Sequence, residues 1–169
     1  MRINNIDQDA LQTLRERASK EGSIPMERHI EGEFRLDGSP MFVAEMRTET
    51  TKIIVTADEP KILGGQGVHG TPLSYVLFGV MACFASTLAI EASQAGIVME
   101  RLNVKGHIYY DLAPVVTDRE GPIIKKLVLE VISDKDLSKV LERAERKCPA
   151  LFLVKNPIPV EVKQTGGTR

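Results

Sequence analysis

Oily and polar positions change their spacing several times along this chain, and each change marks an element. Ile6, Leu11, Leu14 and Ala18 recur at helical intervals, which predicts a short helix opened by Asn5 or Asp7 and closed near Gly22. Gly22 to Pro25 reads as a linker. His29 to Leu36 alternates, Asp37-Gly38 makes a turn, and Met41 to Ala57 continues as strand, so this region reads as a hairpin with Asp-Gly at its tip. Leu73 to Ile90 then runs without a single formal charge. Thr71 can cap a helix whose first position is Pro72, where the missing N–H costs nothing, and Gly96 is a natural stop. A helix oily on every side must be enclosed by protein or by lipid. Its length lies at the lower edge for a bilayer span, and Ser74, Gly79, Ser86 and Thr87 with flanks lacking aromatic or basic anchors favour a buried central helix.

Beyond that helix, Leu102 to Leu112 alternates, with Leu102, Val104, Ile108 and Tyr110 on one side. Pro114 to Pro122 reads as a loop, and Lys125 to Ile132 as a strand. Ser133 or Asp134 can cap a helix that carries Leu137, Val140, Leu141 and Ala144 toward Cys148, where Pro149 is expected to end it. Ile158, Val160 and Val162 point one way, which predicts a last strand over 158–163. Strands in hairpin runs separated by helices argue an α+β fold on an antiparallel sheet.

Composition narrows the function. The chain of 169 residues, 43% hydrophobic and 27% charged, is a globular mixture large enough for one core. A formal charge of -1 provides no electrostatic footprint for nucleic acid or for an anionic membrane. Asp7, Asp9, Arg15 and Glu16 stand where a secretory signal needs an apolar run, so a cytoplasmic location is expected. Two cysteines in a reducing compartment point more to chemistry than to a structural staple, and no close Cys/His cluster has zinc spacing. Neither a metal nor a cofactor is therefore expected.

Those cysteines, Cys83 inside the apolar helix and Cys148 before a proline, are 65 positions apart. A thiol attacks as thiolate, and burial in hydrocarbon makes the thiolate scarce. Cys83 lies several turns inside its helix, beyond the reach of the helix dipole, so positive charge must come from elsewhere. Arg35 beside the hairpin tip, Arg47 in the second strand, and Lys61 and His69 flanking the glycine-rich loop are the candidates for thiolate activation. If a peroxide oxidises Cys83 to a sulfenic acid, a neighbouring Cys148 can condense with it to a disulfide that an external dithiol reduces. The alternative, which cysteine count alone favours, is that both are small apolar residues packed in a core. The residues alone leave these two readings open.

The stretch PKILGGQGVHGTP leading into LFGVMACF, the run AGIVMERLNV, and a helix ending in Cys-Pro before a last strand together resemble the OsmC/Ohr family of organic hydroperoxide reductases. The resemblance covers about 30–163. It implies an OsmC-like α+β fold in which two chains intertwine as a homodimer around long buried central helices, with 1–24 as an N-terminal helical extension and 25–169 as the domain. It also implies that Cys83 is the peroxidatic cysteine and Cys148 the resolving one, with an organic hydroperoxide as substrate and an external dithiol as reductant. Val76, Val80 and Phe84 would supply an oily substrate wall. The chain departs from the family pattern at Thr71-Pro72-Leu73, where active members carry Asn-Pro-Glu, so the glutamate that holds an activating arginine is replaced by Leu73. The alternative is a non-catalytic OsmC-like binding or redox-sensing dimer that has lost that glutamate.

Overall fold

The structure, a computed structural model, describes residues 1–166. The chain opens with a small hairpin, β1 (Arg2–Ile3) and β2 (Ile6–Asp7), which the sequence did not announce. Asn4 and Asn5 turn it with positive φ, a conformation that asparagine tolerates better than most residues. Asp7 then caps α1 (Gln8–Glu21) by accepting the N–H groups of Asp9 and Ala10, and Gly22 closes the helix in the left-handed region. None of α1 is buried in this chain.

Three strands follow, β3 (Glu31–Phe34), β4 (Phe42–Arg47) and β5 (Lys52–Ala57), paired antiparallel in that order. The expected strand over 41–57 is two strands. Thr48 breaks it, because its hydroxyl accepts the N–H groups of Thr50 and Thr51 and reverses the chain.

A 3-10 turn, Lys61–Leu63, begins the glycine-rich loop. Gly65 is required there, since a Cβ at this position would lie 1.9 Å from the Glu59 carbonyl oxygen. Asp58, almost fully buried, holds the loop by accepting the N–H groups of Gln66 and Val68 at 3.2 and 3.4 Å.

The long helix, α2 (Pro72–Gln94), is capped by Thr71 as expected, its hydroxyl accepting the Ser74 N–H. Its burial differs from the expectation of full enclosure. Val80, Phe84, Leu88, Ala89 and Ala92 face the core, whereas Phe78 is 68% and Val76 51% exposed. By length and composition α2 could cross a membrane, yet here it is the helix on which β6, α4 and α5 pack.

Strands β6 (Leu102–Tyr110) and β7 (Ile124–Ser133) form an antiparallel ribbon against α2. Gly106 permits the close approach, because a Cβ there would meet the Met81 and Leu77 side chains. The loop between these strands contains one helical turn, α3 (Ala113–Val116).

Asp134 does not cap the next helix. Its carboxylate accepts the N–H groups of Glu100 and Arg101 instead, which moves the start of α4 (Ser138–Lys147) downstream. Nor does Pro149 end helical structure, since α5 (Pro149–Lys155) starts on it, proline being welcome at a first helical position. The last strand expected over 158–163 is irregular, with Val162 92% exposed. Residues 167–169 of the polar tail lie outside the described part.

The core is the seam between α2, α4 and α5. Val80, Phe84, Leu88 and Ala92 meet Val140, Ala144, Cys148 and Leu151 there. Val140 and Ala144 on α4 and Cys148 at its C-cap fall at i, i+4 and i+8, a stripe that a strongly amphipathic helix turns inward.

Candidate functional site

The α2–α4–α5 seam fixes both cysteines. Cys83 lies half-buried in the middle of α2, between the buried Val80 and Phe84. Cys148 is fully buried at the joint between α4 and α5, where φ -73 and ψ 116 give the extended backbone that a following proline favours. Its N–H still reaches the Ala144 carbonyl and its carbonyl receives the Phe152 N–H, so the joint is anchored from both sides. The two thiols are neighbours, Cys83 packing against the cluster that holds Cys148 and Cys148 acting on the Cys83 thiol, and both are free.

Burial pushes the Cys83 thiol up from its ordinary value. The Ala150 N–H, aimed at the sulfur from the start of α5, opposes that rise, and the adjacent Cys148 thiol adds to it. Among the described residues, no cation is one of the groups that act on Cys83. Arg35 stays at its hairpin tip, donating to the Ser39 carbonyl at 3.1 Å, and Arg47 pairs with Glu45 at 2.9 Å. Lys61 is exposed on the 3-10 turn. His69 shares a 3.0 Å hydrogen bond with the Thr56 hydroxyl, and the Tyr75 hydroxyl donates to the Thr56 carbonyl at 2.7 Å. These two side chains tie the loop and the head of α2 to β5.

An open apolar cavity of about 790 Å³ lies beside the seam, between α2, the β6–β7 ribbon, α4 and α5. Val76 and Phe84 line it, joined by Ile108, Leu127 and Leu151, with Lys125, Lys126 and Lys155 at its rim. Val80 is packed inside the core rather than in the cavity wall, and neither sulfur is part of the lining.

Two features of the site escaped the sequence reading. The Ala150 N–H was hidden because Cys-Pro reads as an exit from a helix, although proline at a first helical position was an available signal. Glu91 is the other, a lone acid at the end of an apolar run. It is almost fully buried and takes two cations from α4, Lys147 at 2.6 Å and Arg143 at 3.3 Å.

The sequence profile of the family described as OsmC-like protein matches residues 64–163, more than half of the chain, and spans both cysteines. The chain belongs to the OsmC-like family. Solved structures agree on the fold. An organic hydroperoxide resistance protein OsmC of Legionella pneumophila is 16% identical over 79% of this chain and 92% of its own, with a TM-score of 0.60. An OsmC-like protein of Mycoplasma pneumoniae is 18% identical over 78% of this chain and 89% of its own, with a TM-score of 0.58. An organic hydroperoxide resistance protein of Elizabethkingia anophelis is 18% identical over 78% and 91%, with a TM-score of 0.53. No curated protein matches the sequence. Membership points to a peroxide-resistance or redox role and establishes the mixed helix and antiparallel-sheet architecture.

Proposed function

We propose that this OsmC-like chain is a thiol-dependent peroxidase that reduces organic hydroperoxides in the cytoplasm. The observation that carries this reading is the adjacency of the Cys83 and Cys148 thiols, which 65 positions of chain separate. Cys83 sulfur attacks the distal oxygen of the hydroperoxide, the O–O bond breaks, the alcohol leaves with a proton, and the sulfur becomes a sulfenic acid. The Cys148 sulfur then displaces water from it to form the disulfide. An external dithiol supplies two protons and two electrons, becoming a disulfide itself and restoring both thiols.

The working unit in this proposal is a homodimer. Tyr75, Phe78, Gly79, Ala82 and Ser86 form an open strip on α2, with side chains small enough at its centre for a second α2 to approach closely. A second copy would also bring its own Arg35, Lys61 and His69, from the sheet and loop that lie away from Cys83 within one chain. One of these would supply the missing positive charge. Substrate would enter along the apolar cavity lined by Val76 and Phe84, with Val80 supporting that wall from behind. In the same proposal, residues 1–24 form a helical extension to the domain over 25–169.

A second reading has a specific observation in its favour. Burial disfavours the Cys83 thiolate, and Leu73 stands where the resemblance implies a glutamate, which suits a redox-sensing or binding dimer of low turnover. Steady-state assays separate the two. With cumene hydroperoxide and a dithiol, the peroxidase consumes peroxide over many cycles, loses all turnover in Cys83→Ser, and prefers the organic peroxide to hydrogen peroxide. A protein that stops after one equivalent is a sensor instead.

A further inference from the structure

Glu91 is the one carboxylate on α2, almost fully buried, and takes no part in the thiol chemistry. It lies eight residues beyond Cys83, hence on the same side of α2 and about 12 Å along the axis. Thr87 stands between them, its hydroxyl donating to the Cys83 carbonyl at 2.9 Å. The carboxylate is 3% exposed, whereas its partners Arg143 and Lys147 are 44% and 58% exposed. A buried negative charge is thus clasped by two cations that reach in from the surface, one on each oxygen.

Arg143 and Lys147 are one helical turn apart on α4, and Lys147 immediately precedes Cys148. The apolar stripe of Val140 and Ala144 holds α4 on α2, but such contacts are non-directional and tolerate sliding. A disulfide does not tolerate it. Its two Cβ atoms must come to about 3.8 Å, so a shift of α4 by 1 Å matters. The clasp fixes what the stripe leaves loose, the register of the last turn of α4 along α2.

We infer that Glu91 is a positioning residue, which through Lys147 and Arg143 sets Cys148 opposite Cys83 and so governs how fast the sulfenic acid is resolved. This role rests on the thiol chemistry proposed for the same site.

The inference is tested by two measurements on full-length wild type, Glu91→Gln, Lys147→Met and the double variant. The first is equilibration with glutathione redox buffer, which reads the effective concentration of one thiol at the other and needs no peroxide. Glu91→Gln and Lys147→Met should each lower it about tenfold, and the double variant should fall no further than Glu91→Gln alone, because the ion pair that Lys147→Met removes is already lost there. The second is trapping of the Cys83 sulfenic acid with dimedone after a pulse of cumene hydroperoxide. Its lifetime should lengthen about tenfold in the variants. Effective concentrations within twofold of wild type, or fully additive losses, would overturn the positioning role even if the melting temperature falls. Should Glu91→Gln fail to fold, Lys147→Met decides on the same scale, since Arg143 still neutralises the buried carboxylate. A wild type that forms the disulfide in glutathione buffer but never with a hydroperoxide defeats the peroxidase reading and leaves the positioning result standing.

Discussion

Leu88 is completely buried at the centre of the seam between α2 and α4, in one cluster with Val140, Ala144 and Cys148. Leu88→Ala removes three heavy atoms from that cluster without touching a polar group. Lost transfer free energy and the remaining cavity together cost about 3 kcal/mol, from a range of roughly 2 to 5 for buried leucines. For a chain of this size each kcal/mol moves the melting temperature by about 2–4 °C, so a fall of roughly 6–12 °C is expected. Differential scanning calorimetry of variant and wild type at equal protein concentration measures it, equal concentration being needed because association shifts the midpoint. A fall under about 2 °C would refute the packing argument, because Leu88 would then not bear on the joint that brings the cysteines together.

Two further predictions concern pH. Asp134, held down to about 2 chiefly by the Arg101 N–H, is charged in the folded chain over a range where the unfolded chain takes up a proton. Its stabilising contribution is complete above about pH 4 and lost as pH falls toward 2, so Asp134→Asn should lower the melting temperature at pH 7 and match wild type near pH 2. A difference that persists unchanged at pH 2 would contradict this. Burial within one chain pushes Cys83 up, so the cation that a second copy is proposed to bring must offset it. The iodoacetamide rate of Cys83, read by mass spectrometry of its peptide, should level off well below pH 9, and a rate that still climbs above pH 9 would refute the activating cation.

The sequence was most legible where one residue makes a local structure inevitable. Thr71-Pro72 opens α2, Gly96 follows its end with positive φ, and Asp7 and Gly22 bracket α1. Alternation located β6 and β7 to within a few residues. Legibility failed where local signals had two solutions. Pro149 suits both an exit from α4 and the first turn of α5, and the choice depends on Leu151 finding the core. Asp134 suits both a helix cap and a staple for the 100–101 turn, and only the fold brings that turn within reach. Ile158, Val160 and Val162 alternate as a strand does, but alternation supplies only readiness to pair. The Glu91 clasp and the meeting of the thiols are tertiary outcomes, created when a stripe on α4 docks on α2, and no spacing in the chain encodes them directly.

The most direct measurement is the intact mass of the reduced protein after one equivalent of cumene hydroperoxide, followed by peptide mapping without reductant. A loss of about 2 Da, with the Cys83 and Cys148 peptides joined within one chain and nothing lost in Cys83→Ser, is the predicted result. Cysteines that both remain alkylatable, or a Cys83 that gains oxygen atoms while Cys148 stays a free thiol, would contradict it.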